Sequence, residues 1–264
     1  MVYYFSGTGN SGFVAQTLAN LLGSDITFIP DFDATNNEMP VERMILVFPV
    51  YSWGIPPLIE KFILSVPESH WEFMKERQYP VDCVLTCGDE VGMAPEMIKI
   101  IFDRTGMILN SVFSVIMPNN YVLLPGFDVD SKNIEDKKLN ECKGRIIEIA
   151  QSLIRQDKRI DVIRGSFPWL KTKLIYPLFK KWGIFPSKWK YTPSCIGCGK
   201  CAAICPLLNV EMTDSHPKWG KRCCSCLACY HVCPCHAVAY GKETKHKGQY
   251  MFPVKKISLR NYHN

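Results

Sequence analysis

Long apolar runs are absent from this chain. No stretch of about 18 uninterrupted apolar residues occurs in it, so no transmembrane helix is expected. The opening Met1-Val2-Tyr3-Tyr4-Phe5 lacks a basic n-region and is too short for an apolar h-region, which argues against a secretory leader and for a cytoplasmic location. No Lys closes the segment Ser6-Gly7-Thr8-Gly9-Asn10-Ser11, so the Gly-Lys-Ser/Thr ending of an NTPase P-loop is missing. Gly7-x-Gly9-x-x-Gly12 has the letters of a dinucleotide fingerprint, yet no acidic residue cleanly ends the next strand candidate at 26–29. The His residues are scattered without a hydrolytic constellation. His70, His216, His231 and His236 read as surface or supporting groups. Acid is scarce in the second part: residues 155–264 hold 20 basic and 5 acidic side chains, against 11 and 20 in residues 1–154. Net charges of +15 and −9 favour docking of the two parts on each other and steer charged partners. No nucleic-acid-binding motif accompanies the positive charge.

Cysteine, by contrast, is plentiful and ordered. Cys195-x2-Cys198-x2-Cys201-x3-Cys205-Pro206 is followed 28 positions later by Cys223-x2-Cys226-x2-Cys229-x3-Cys233-Pro234. This is the bacterial spacing for two [4Fe–4S] clusters, in which the fourth Cys of each run crosses to the other cluster. By that rule Cys195, Cys198, Cys201 and Cys233 hold one cluster, and Cys223, Cys226, Cys229 and Cys205 the other. A zinc ribbon is the alternative, and it leaves the third Cys and the Cys-Pro of each run unexplained. A disulfide framework suits secreted chains. Cys83, Cys87, Cys142, Cys224 and Cys235 remain. So many thiols point to a reducing cytoplasm, and to an anaerobe.

The first five residues read as a strand, and Val14, Leu18, Leu21 and Leu22 then recur at helical spacing. The Ser6–Ser11 segment thus joins a strand to a helix N-terminus, where glycines, backbone N–H groups and hydroxyls make an anion trap suited to a terminal monophosphate. Further strand candidates at 26–29, 44–49, 81–86 and 111–117 alternate with helix candidates at 57–64, 94–105 and 134–155. The expected fold is a doubly wound parallel five-stranded α/β sheet in order 2-1-3-4-5. Its ligand edge carries three loops: Ser6–Ser11, residues 50–56 after Pro49 with Tyr51-Ser52-Trp53-Gly54, and residues 87–93 with Cys87-Gly88-Asp89-Glu90.

With these motifs in hand, residues 1–155 resemble a flavodoxin and residues 190–240 a small α+β two-cluster bacterial ferredoxin. The whole resembles the prokaryotic flavodoxin–ferredoxin fusion proteins, with a basic connector at 156–188 and the cluster domain and basic tail at 189–264. The resemblance implies FMN, with its phosphate on Ser6, Gly7, Thr8, Gly9, Asn10 and Ser11. Around the ring it places Pro49, Tyr51, Ser52, Trp53, Gly54, Cys87, Gly88 and Asp89, with Trp53 covering one face. Flavodoxins usually add a second aromatic from the third loop, and none is present here. One face is therefore expected to be open, unless Pro118-Asn119-Asn120-Tyr121 closes it. Asp89 and Glu90 would lower the flavin potential if they lie close. Cys87 reads either as a small packed residue or as a redox thiol beside the ring, the former being favoured.

In the connector, Trp169, Leu170, Leu174, Leu178 and Trp182 fit one helical face among Lys171, Lys173, Lys180 and Lys181. The favoured reading packs that face between the domains; the alternative lays it on an anionic membrane. The expected function is electron transfer between clusters and FMN, to or from a redox partner such as an acidic ferredoxin or a reductase. Alternatives are a ferredoxin-dependent reductase of a small-molecule acceptor, and a redox-sensing or membrane-docked protein.

Overall fold

The computed structural model describes residues 1–32, 42–182 and 186–253; Trp182 is described by its backbone alone. Strands β1 (Val2–Tyr4), β2 (Ile26–Phe28), β3 (Met44–Pro49), β4 (Val81–Cys87), β5 (Leu109–Ile116) and β6 (Ile160–Asp161) pair in parallel in the order β2-β1-β3-β4-β5-β6. Strands covered on both faces need apolar side chains at successive positions rather than alternate ones, and residues 44–48 are buried throughout. Helix α1 (Asn10–Leu22) packs beside α5 (Lys132–Ile154), and α2 (Pro57–Ser65) beside α4 (Ala94–Thr105). This is the doubly wound α/β fold expected from the alternation of elements. One charge enters its core: Asp82 is fully buried, 3.0 Å from Arg43 Nε, and accepts from Asn110 Nδ2 at 2.9 Å. Pairing of this kind is what makes a buried carboxylate tolerable.

Two elements of this layer lie outside the sequence expectation. Helix α3 (Glu68–Glu76) buries Trp71 and Met74. Strand β6 adds a sixth member to the expected five, beyond the 155 boundary and inside the segment read as connector. It is two residues long, too short to show a period. It is fixed instead by Arg145, whose Nη1 donates to Asp161 Oδ2 at 3.0 Å and Nη2 to the Asp161 carbonyl at 2.9 Å.

The connector continues as α6 (Pro168–Leu170), one wide turn at Lys171–Ile175, and α7 (Tyr176–Trp182). Beyond it, the cysteine-rich part repeats itself. Helices α8 (Lys200–Ala203) and α9 (Ala228–His231) lie 28 positions apart, the offset of the cysteine runs. Each is preceded by a left-handed residue, Gly199 at φ 73° and Leu227 at φ 63°. Strands β7 (Trp189–Tyr191) and β10 (Val238–Tyr240) pair antiparallel, as do β8 (Val210–Thr213) and β9 (His216–Trp219). Trp189, Cys201, Cys229 and Tyr240 share a small core into which Val122 and Leu123, from the loop after β5, are inserted. The two parts are thus interlocked rather than merely tethered.

Candidate functional site

A cleft opens at the carboxyl edge of the sheet, where doubly wound folds place ligands. Its atom-free space, mouth included, is about 690 Å³. Ser6, Gly7, Thr8, Asn10 and Ser11 form one end. Gly9, which caps α1 in the left-handed region at φ 102°, donates its N–H to Ser6 Oγ at 3.1 Å. The turn thereby leaves the first amides of α1 without partners inside the helix, at its positive end. Ser11 Oγ lies 2.6 Å from Thr86 Oγ1, and Asn120 Nδ2 donates to Thr8 Oγ1 at 2.5 Å.

The long walls come from Pro49, Val50, Tyr51 and Ser52 on one side and from Thr86, Cys87, Gly88 and Met117 with residues 118–121 on the other. Burial pushes the Cys87 thiol far above its usual range, with Asp89 adding to the effect and Lys138 opposing it. Cys87 is therefore a neutral packed group. Two further walls were not legible in the sequence. Phe179 of the connector meets Tyr51 edge-on, with ring centroids 6.2 Å apart. Ser225, Cys226 and Leu227, inside the second cysteine run, form the last wall. A Cβ placed on Gly7 would lie 2.4 Å from the Cys226 carbonyl oxygen, so only glycine allows this approach.

Trp53 requires a correction: it does not line the cleft. Tyr51 and Gly54 exchange both N–H···O bonds at 2.9 Å, while Ser52 and Trp53 take φ of 49° and 60°. This is a two-residue reversal of the primed type. The Trp53 indole N–H donates to Glu90 Oε1 at 2.7 Å, Lys171 Nζ lies 5.3 Å from its ring centre, and its carbonyl accepts from Thr172 Oγ1 at 2.7 Å. Trp53 thus fastens the connector to the sheet. Gly54 also faces the connector, close against the Tyr176 ring. Nor does the third loop bring its acids to the cleft. Glu90 is held by Trp53 and Lys171, and Asp89 is 73% exposed beside Lys138.

The chain after the cysteines returns to the anion loop. Phe252 N–H donates to the Thr8 carbonyl at 2.8 Å, its ring stacks on Phe13 at 4.5 Å, and Tyr250 Oη donates to Asn10 Oδ1 at 2.7 Å. The Tyr250 N–H points to His231 Nδ1 at 3.1 Å, so that nitrogen must accept. Nε2 then carries the proton and donates to the Asn120 carbonyl at 2.7 Å. Burial holds His231 neutral, lowering its pKa to about 4.

The eight motif cysteines line two hollows. Cys195, Cys198, Cys201 and Cys233 share one, and Cys205, Cys223, Cys226 and Cys229 the other; Cys235 and Cys224 stand beside them. The fourth cysteine of each run therefore faces the hollow of the other run. Among the described residues no three His, Cys, Asp or Glu side chains converge as one metal ion requires. Backbone N–H groups donate to three of the sulfurs: Asn209 to Cys205 at 3.3 Å, Ser225 to Cys223 at 3.4 Å and Ala237 to Cys233 at 3.2 Å. Burial pushes Cys201 and Cys223 up to about 11. Cys226 goes the other way, lowered by a hydrogen bond from Cys224.

No family model and no curated protein matches this chain. Among solved structures, a flavodoxin from the domain Archaea is 18% identical, with 58% of this chain and 96% of that one covered and a TM-score of 0.37. The Trp repressor binding protein from Bacillus subtilis is 14% identical, with 58% and 97% covered and a TM-score of 0.38.

Proposed function

We propose that this protein is an electron-transfer iron–sulfur flavoprotein, passing single electrons between two [4Fe–4S] clusters and FMN within one chain. The observation that carries this reading is the shared wall: Cys226 and Leu227 belong both to a cysteine-lined hollow and to the cleft headed by Ser6–Ser11. A cluster ligand and a flavin site with a common wall need no further carrier between them.

The donor sets fit both groups. Hydroxyls of Ser6, Thr8 and Ser11 with the first amides of α1 suit a phosphate. Tyr51, Tyr121 and Phe179 supply the aromatic surface expected of Trp53. Four thiols per hollow suit a cubane cluster, and the backbone N–H groups on Cys205, Cys223 and Cys233 would tune its potential. FMN takes up one or two electrons and each cluster one, so the pair links one- and two-electron chemistry. The chain's own part is to hold these groups, exclude water with the inserted 225–227 segment, and bury Cys201 and Cys229 among the ligand thiols.

The cysteine hollow farther from the cleft suits a redox partner. Cys198 is exposed there and Ile196 is 67% exposed, with exposed Lys200, Lys190 and Lys218 in the same lobe. Exposed Glu211, across the hairpin from Lys218, and Asp214 share the lobe, and the excess of lysines there fits an acidic ferredoxin or an acidic face of a reductase. The test is composition. Protein purified without oxygen is expected to carry about eight irons, about eight sulfides and about one FMN. Stoichiometric zinc, or a chain that takes up no flavin, ends this reading.

A further inference from the structure

The connector helix bears two apolar stripes, and the fold uses one of them. Thr172, Tyr176 and Phe179 face inward, where Tyr176 Oη donates to the Ile55 carbonyl at 2.6 Å and Phe179 meets Tyr51. Leu170, Leu174 and Leu178, at i, i+4 and i+8, lie on the opposite side and are all exposed. Phe167, 76% exposed, and Trp169, 58% exposed, extend this outward stripe at its start. The favoured sequence reading, which buried these side chains between the domains, is therefore corrected for all but Trp182, whose side chain lies outside the described residues.

The segment's own charge is of one sign, with Lys171 paired to Glu90 and Lys180 3.5 Å from Glu60 on the neighbouring layer. Lys173, Lys180 and Lys181 flank it, and no Asp or Glu occurs in the sequence between Asp161 and Glu211. A surface that receives this face must offer apolar depth to five large side chains and negative charge to the lysines beside them. Two copies of the face would set lysines against lysines, which argues against self-association. We infer that the 167–181 segment docks in the interface of an anionic lipid bilayer, with the leucine stripe, Phe167 and Trp169 among the acyl chains and the lysines at the headgroups. Since the inward stripe of this helix walls the cleft, docking would set the bilayer about one helix diameter, roughly 10 Å, from it. The inference concerns the protein surface and stands apart from the cofactors proposed above.

Flotation of the full chain with vesicles tests it. The protein is expected to float with phosphatidylcholine–phosphatidylglycerol vesicles and to stay behind with phosphatidylcholine alone. The double variant Leu174→Glu, Leu178→Glu, at exposed positions, should cut partitioning about tenfold or more. Lys173→Glu should cut it less, and Ile108→Glu, at a site 83% exposed in another region, should leave it unchanged. Absence of binding to anionic vesicles overturns the inference, as does binding that the leucine variant retains. A dimer that the leucine variant makes monomeric, with no vesicle binding, assigns the face to a second copy and overturns it too.

Discussion

Gly7→Ala is expected to weaken FMN binding about tenfold to a hundredfold, measured by flavin fluorescence titration of the cofactor-free chain. A single methyl here would sit 2.4 Å from the Cys226 carbonyl oxygen and 2.9 Å from its Cβ. Both are well inside van der Waals contact, and the opposing atoms are backbone and Cβ rather than the end of a flexible side chain. Overpacking of this kind costs about 1–3 kcal/mol, and each 1.4 kcal/mol is about a factor of ten in affinity. The strain falls on the contact that closes the cleft, so flavin binding should take most of it. Trp53→Phe is the control: its indole bonds to Glu90 outside the cleft, and affinity should stay within about twofold, since only a remote hydrogen bond is lost. An unaffected Gly7→Ala variant, or a Trp53→Phe variant that loses flavin, would put the ring somewhere other than the cleft.

The second large effect separates the two fourth cysteines. Cys205 shares a hollow with Cys223, Cys226 and Cys229, the one whose wall is also a wall of the cleft. Cys233 shares the other with Cys195, Cys198 and Cys201. Each substitution to Ala should remove about half the iron, but from the cluster of the opposite run. Cys205→Ala then leaves a chain with its remaining cluster on the far side and should slow flavin reduction by at least about a hundredfold, because the stepping-stone beside the cleft is gone. Cys233→Ala keeps that stepping-stone, and flavin should still be reduced once the remaining cluster is. Rapid mixing with a low-potential reductant, following flavin and cluster absorbance separately, reads both. Equal rates in the two variants would contradict the crossed arrangement.

Much of the sheet was legible because parallel strands buried on both faces cannot hide: residues 44–49 are an apolar run bounded by turns, and 81–86 is one broken by Asp82 and ending in Thr86. Helix α4 was legible for a local reason, with Pro95 in its first turn and Gly106 closing it at φ 71°. The cysteine spacing likewise carries its own geometry. Trp53 was misplaced because a primed turn is set by two positive φ values, and Ser52-Trp53 lacks the glycine or asparagine that usually announces one. The β8–β9 hairpin escaped for the same cause, its turn being Asp214-Ser215 at φ 50° and 62°. Phe179 and Leu227 reach the cleft through tertiary contacts that no local period encodes. In the connector the period was visible but ambiguous, since two apolar stripes leave open which one faces inward.

In the proposed function, electrons move between cluster and flavin inside one molecule. The most direct measurement is the rate of flavin reduction after a brief, limiting pulse of reductant, followed over a wide range of protein concentration. A shared wall at Cys226 and Leu227 predicts first-order flavin reduction, with one rate constant at every concentration. A rate that rises in proportion to protein concentration, or clusters that stay reduced beside oxidised flavin, would contradict it.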